Sequence, residues 1–229
     1  MLTANSGPAD RDKWGGWTGG PQLKASGHFR TEKVNGKWWL VDPDGRLFFS
    51  HGVDCVRAGA ETGVQYRENY FQWLPETGSP YAKFYGSSKW APHGFYKDKG
   101  SFKTFDFSRA NLLRKYGEGW EAVLAELAHQ RIRAWGLNTI ANWSDSAVYM
   151  KRRTPYTATF GSGGRTIEGS DGWWGKFPDP FSAEFEANTA KRAADQKKAG
   201  TADDPWCIGY FVDNELSWGK DDRNLAVAT

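Results

Sequence analysis

The sequence predicts an α/β fold: a small antiparallel β-meander followed by about four β/α units, half the number needed to close an eight-stranded parallel barrel. Three observations predict it. Tight-turn chemistry at Asn35-Gly36 and Pro43-Asp44-Gly45 separates β-favouring runs early in the chain. Strand and helix signals then alternate, which implies parallel strands joined by right-handed crossovers. Polar residues gather just after the strand ends, where parallel barrels place their chemistry. A doubly wound sheet has the same alternation and stays open as an alternative, although no G-x-G-x-x-G follows the first strand.

Residues 1–27 are rich in Gly, Pro, Ser and Asp around Trp14 and Trp17, and read as a linker or an arm laid over a surface. Residues 28–229 read as one portion of a catalytic-type domain. Within it, runs 29–34, 37–41 and 47–53 form the meander. The last run, LFFSHGV, is apolar enough to pass into a more central sheet. Residues 57–104 read as an irregular insertion that places Tyr66, Tyr70, Phe71, Trp73, Tyr81, Phe84, Tyr85, Trp90, Phe95 and Tyr96 among Gly and Pro. A loop of that size in a compact domain is usually functional.

Ser108 is the expected cap of a short helix ending near Gly117, and 120–135 is an amphipathic helix stopped by Gly136. Residues 137–142 form the next strand, and Ser144 or Asp145 caps a helix running to Arg153. Residues 155–160 are a strand and 182–199 a charged helix closed by Gly200. The run 207–212, CIGYFV, is the last strand, and the start of another helix is expected after it.

Thirty Lys+Arg against 27 Asp+Glu leave a formal charge of only +3, which argues against a dedicated nucleic-acid binder. The basic residues Arg131, Arg133, Arg152 and Lys191 to Lys198 interleave with Ala, Asp and Glu on helices and read as solvated faces. No run approaches the ~20 apolar residues of a membrane span, and the first residues lack the apolar stretch of a signal peptide, so no membrane partner is expected. Rings make up 16% of the chain although the mean hydropathy is −0.70, so many must lie on polar segments. Cys55 and Cys207 have no metal or redox spacing and read as packing residues. They fall at opposite ends of parallel strands, so a disulfide between them is not expected. Asp213, Glu215, Asp221 and Asp222 lack the spacing of a calcium loop, and no metal or cofactor is predicted.

The sharpest constellation is Asn214-Glu215, directly after a buried-type strand, with Trp218 three residues on. A carboxyl among apolar rings holds its proton to higher pH, and so can protonate a leaving oxygen. Glu215 is the candidate acid/base. Asn214 is the candidate hydrogen-bonding neighbour for a sugar hydroxyl beside the reacting carbon. The same pair also reads as an ordinary cap of the next helix. His51 and Asp54 fall after the first strand, and Asn142 with Trp143 after the second. Trp143, Trp174 and Trp218, then Trp173, are candidate stacking platforms for apolar sugar faces, each equally readable as core. Trp38, Trp39 and Trp135 are assigned to packing.

Three blocks, GKWWLVDPDGRLFFSHGVDCVR, GLNTIANWSD and IGYFVDNELSWG, resemble the β-agarases of glycoside hydrolase family 50. The resemblance implies a partial TIM (β/α)8 barrel and a retaining hydrolase that cuts β-1,4 links of agarose, with a galactan polysaccharide or oligosaccharide as partner. It implies Glu215 as general acid/base and Asn214 as its substrate-binding companion. A retaining mechanism needs a second carboxylate about 5 Å away, which this family takes from a later strand. Glu168, Asp171, Asp179 and Asp145 lack that spacing and read as substrate contacts or loop caps, so the chain alone is expected to be inert. The alternatives are another β-glycosidase of the same clan, such as a β-galactosidase, or a non-catalytic carbohydrate-binding module. A strand-end Glu is required only by a hydrolase.

Overall fold

The computed structural model describes residue 2 and residues 5–170, 175–217, 219–220 and 223–224. The chain divides into two compact units, one formed by Met1–Val56 with His129–Thr229, the other by Arg57–Ala128.

In the first unit, β1 (Arg30–Val34), β2 (Lys37–Val41) and β3 (Leu47–Phe48) form the expected antiparallel meander, in the order β1-β2-β3. β1 alternates half-buried and exposed residues, as a strand with one covered face should. The predicted third run is split: Leu47 and Phe48, both buried, pair with β2, whereas β4 (Gly52–Val53) belongs to another sheet. In that sheet β4, β8 (Thr139–Ile140), β9 (Tyr156–Phe160) and β11 (Cys207–Val212) lie side by side in sequence order, and every neighbouring pair is parallel. Strand order does not reverse across the four, so the crevice that a doubly wound sheet opens at a reversal is missing from them. Ile140, Tyr156 and Ala158 are buried in this sheet, and each large apolar side chain so placed stabilises the fold by ~1.5–3 kcal/mol.

The connections follow the sequence closely. α2 (Trp120–Ala134) ends before Gly136, whose φ of 77° only glycine adopts readily. α3 (Ser146–Tyr149) is shorter than expected because Arg152 is left-handed (φ 54°) and Pro155 follows, which together close off a longer helix. Asp145 stands at its cap position without a side-chain bond; the Ser144 hydroxyl instead accepts from Val56 N and donates to Ala141 O. α4 (Ala183–Lys198) is capped by Ser182, buries no residue, and carries its basic residues on the solvated face, as expected. Ahead of it lies β10 (Gly175–Lys176), which pairs in parallel with β12 (Leu216–Ser217). Among the described residues no helix follows β11, contrary to expectation: β13 (Gly219–Lys220) and β14 (Arg223–Asn224) pair antiparallel. Leu216 and Trp218 are spaced two apart, a strand period, and an interior glycine costs a helix about 1 kcal/mol.

The second unit overturns the expectation of an irregular insertion. β5 (Glu61–Gly63), β6 (Tyr85–Ser88) and β7 (Phe102–Asp106) form an antiparallel sheet in the order β5-β7-β6. α1 (Phe107–Tyr116) follows β7 and is capped by Asp106, whose carboxylate accepts from Arg109 N at 2.9 Å; the expected cap, Ser108, lies inside the helix. Val64, Phe105 and Ala110 form a core packed by Phe71, Leu74, Tyr81, Phe84, Tyr85 and Phe107. Some of the aromatic residues therefore build a local core, whereas Tyr66, Tyr70, Trp73, Trp90 and Phe95 stay exposed.

Other corrections concern single residues. Trp38 and Trp135, assigned to packing, are 71% and 62% exposed. Trp38 sits on the outward phase of β2 and Trp135 lies just past the end of α2. Cys55 is exposed with φ 56°, and only Cys207 packs; its burial raises the thiol pKa and makes it a poor nucleophile. Both thiols are free and lie at opposite ends of the parallel strands.

Candidate active site

Parallel strands send all their C-terminal ends to one edge, so the residues that follow them are collected without any sequence proximity. Backbone bonds fix this edge laterally. Ala141 N donates to Val53 O and Cys55 N to Asn142 O, joining the ends of β4 and β8, and Asp213 N donates to Phe160 O, joining β9 and β11. The Asn142 side chain is buried and accepts from the Thr159 hydroxyl on β9.

Asp213 is left-handed (φ 55°), and its carboxylate accepts from both Ser162 N (2.8 Å) and the Ser162 hydroxyl. Asn214 and Glu215 follow and are both exposed, and Glu215 is again left-handed (φ 47°). Two non-glycine residues in this sparsely populated region within three positions hold the chain end in a defined, strained turn. A cleft of about 410 Å3 opens here, lined by Ser162, Gly163, Gly164, Lys176, Asp213 and Asn214 among others. Its walls offer hydrogen-bonding groups of both kinds: amide and hydroxyl, carboxylate, ammonium.

The sequence-predicted residues divide into three groups. Asn142, Asn214 and Glu215 reach this edge, and Trp143 stands there with φ 58° and 43% exposure, its ring available to solvent. His51 does not reach it: it precedes β4, and its backbone N–H and C=O are both bonded to Asn138 (2.8 Å each) at the N-terminal end of the strands. The strand begins after His51 because only Gly52 and Val53 run beside β8. Trp173, Trp174 and Trp218 lie outside the described residues, as do Asp171, Asp221 and Asp222. Among the described residues no apolar enclosure surrounds the Glu215 carboxylate. Asp179, one of the carboxylates weighed from sequence, is ion-paired with Arg165 at 2.8 Å, and this contact lowers its pKa. Asp145 lies at the cap of α3.

Sequence reasoning missed Ser162, Lys176 and the part played by Asp213. The signal was present in Gly161-Ser162-Gly163-Gly164 directly after a predicted strand, a composition suited to a loop that passes close to another group. No group of three or more His, Cys, Asp or Glu among the described residues is arranged to hold a metal. No helix of the described residues is long and apolar enough to cross a membrane.

The chain is 39% identical to β-agarase B of Vibrio sp. (strain JT0107) over 253 aligned positions, covering 97% of the chain and 26% of that protein. It is 32% identical to β-agarase A of the same strain over 208 positions, covering 82% of the chain and 19% of the relative. Among solved structures, that of PfGH50B superposes with a TM-score of 0.83 at 34% identity, over 95% of this chain and 34% of the other. An exo-β-agarase gives 0.82 at 30% identity over 97% and 36%, and the agarase AgWH50C 0.79 at 32% over 96% and 34%. The chain belongs to the glycoside hydrolase family 50 β-agarases. It spans about a quarter or less of the length of the curated relatives it matches. No protein-family model matches it.

Proposed function

We propose that this chain carries the acid/base half of the active site of a retaining β-agarase, with β4, β8, β9 and β11 as four strands of a (β/α)8 barrel. The observation that carries the reading is the placement of Asn214-Glu215 directly after β11 at the C-terminal edge of parallel strands, with Asn214 lining a cleft there, in a chain similar to β-agarases along nearly all its length. Four strands added in one direction support the barrel. So does the outer strand β11, which exposes Phe211 (48%) and Val212 (62%) as a strand does when its neighbour comes from another segment.

In the first step the Glu215 carboxyl gives its proton to the glycosidic oxygen as the bond to the anomeric carbon breaks and a carboxylate nucleophile bonds that carbon. In the second, the Glu215 carboxylate takes a proton from water, whose oxygen displaces the nucleophile. Asn214 hydrogen-bonds the hydroxyl beside the anomeric carbon, and Trp143 offers a stacking face. Of the described carboxylates near this edge, Asp213 is bonded to Ser162 and Asp179 pairs with Arg165, while Asp54 after β4 is exposed. We place the nucleophile on a later strand, as the family resemblance implies, and expect the 229-residue chain by itself to be inert.

The test is release of reducing ends from agarose by the complete gene product. Glu215→Gln, which keeps the shape and removes the transferable proton, should lower the rate about 10²–10⁴-fold while agarose binding persists. Unchanged turnover in that variant, or agar clearing by the isolated chain, would sink the assignment.

A further inference from the structure

The loop Gly161-Ser162-Gly163-Gly164 has little conformational preference of its own. Gly163 and Gly164 adopt φ of 71° and 139°, open to glycine and costly for other residues, so the loop must be held by contacts from elsewhere. Arg192 and Phe185 of α4 lie close to the loop, and Asp213 bonds it directly. Asp213 donates its backbone N–H to Phe160 O (2.8 Å), just before the loop, and its carboxylate accepts from the Ser162 N–H (2.8 Å) and hydroxyl. Ser162 is 2% exposed, so these charge-assisted bonds form out of water, where they are strongest. Asp213 immediately precedes Asn214 and Glu215 and shares their left-handed turn. Ser162, Gly163 and Gly164 line one cleft together with Asp213 and Asn214, the residue directly before Glu215.

We infer that Asp213 is a positioning residue: its clasp on Ser162 locks the glycine loop and the Asn214-Glu215 dipeptide into one rigid edge, and thereby fixes the acid/base carboxyl against the glycosidic oxygen. Asp213 acts through its neighbours and needs no proton transfer of its own. The inference rests on the acid/base reading of Glu215, and it adds that the glycine loop lining the cleft beside Asn214 is set by the same side chain. Because a displacement of about 1 Å in a reacting group costs on the order of 10²-fold in rate, the clasp should appear in kcat and much less in KM.

The experiment uses the complete gene product with four variants: Asp213→Ala, Asp213→Asn, Ser162→Ala and Glu215→Gln. Asp213→Ala should lower kcat on agaro-oligosaccharides about 10²-fold with KM within a factor of about three. It should also move the alkaline limb of the pH profile, because the carboxyl that must stay protonated has shifted. Asp213→Asn retains one acceptor for Ser162 N–H and gains a donor for the hydroxyl, and should recover to within about tenfold of the parent. Ser162→Ala loses one of the two bonds and should cost about three- to tenfold.

Hydrogen exchange supplies a readout that needs no turnover. Amides of 161–164 and 213–215 should exchange faster together in Asp213→Ala, with the rest of the sheet unchanged. Parent kinetics and pH profile in Asp213→Ala would overturn the inference, as would a lowered Tm without change in kcat, or exchange that rises at 213–215 but not at 161–164. If the parent is active and Glu215→Gln equally so, the acid/base reading fails instead. The exchange result then still decides whether the clasp exists.

Discussion

The two ends of the parallel sheet treat their polar residues in opposite ways. At the N-terminal end two buried side chains gather several hydrogen bonds each, although Thr157 Oγ1 is buried there without a partner. Asn138 accepts from His51 N (2.8 Å) and Thr139 Oγ1 (3.2 Å), and its amide donates to Phe49 O (2.9 Å) and Gly15 O (3.2 Å). The fully buried Asp204 carboxylate accepts from Arg152 (3.0 Å), the Tyr156 hydroxyl (3.0 Å) and Trp206 N (3.0 Å). At the C-terminal end Asn142 and Ser162 are satisfied within the edge, but Asn214 and Glu215 are turned to solvent on a strained turn. Saturated buried networks add stability and rigidity. Exposed polar groups held by a rigid support are available to a ligand. The fold separates holding the strands from presenting a site, end from end, so substitutions at the two ends should separate in the same way.

The largest expected effect is the loss of turnover in Glu215→Gln, with Tm unchanged within about 1 °C because the side chain is exposed and surface changes of this kind lie within about ±0.5 kcal/mol. A large fall in Tm would blur the comparison. At the other end, Asn138→Ala strands the His51 N–H and two carbonyls and should destabilise by ~3 kcal/mol in chemical denaturation. In the complete protein kcat per folded molecule should not change.

A pH effect belongs to the meander, at the turn after β2. Asp42 is fully buried, and burial together with the neighbouring Asp12 carboxylate pushes its pKa up to about 6. A raised carboxyl pKa means the folded state favours the proton. Its contribution is therefore fully present below the ordinary value of 3.8 and is lost as pH rises through about 6. The loss at neutral pH should be on the order of 2–3 kcal/mol. Asp42→Asn keeps an acceptor for Asp44 N and Arg46 N and should flatten this slope, raising Tm at pH 7 but not at pH 4. The smallest effect is Tyr156→Phe, which removes one of three bonds to Asp204 and should cost about 1 kcal/mol, read as a shift in denaturation midpoint.

The elements that depend on local chemistry were legible in the sequence. The meander follows from Asn35-Gly36 and Pro43-Asp44-Gly45, and α2 and α4 from their periodicity and their Ser182 and Gly136 boundaries. The strand CIGYFV matches residue for residue. Misreadings arose where partners distant in sequence decide. His51 lies in an apolar run that reads as one strand, yet pairing with β2 and then with β8 cuts the run so that His51 precedes β4. The aromatic insertion reads as irregular because its strands are short, and their pairing spans some 40 residues between β5 and β7. Asp106 displaces Ser108 as a cap because β7 ends there.

The sequence by itself determined the alternation of strands and helices, the family and the catalytic candidates Asn214 and Glu215, because these reside in local periodicity and in short motifs. Only the tertiary structure decided which polar residues meet. Thr159 with Asn142 and Ser162 with Asp213 lie 17 and 51 residues apart in sequence, brought together because parallel pairing aligns all strand ends at one edge. Side-chain hydrogen bonds act over about 3 Å, a proximity that parallel pairing creates and that sequence spacing does not encode.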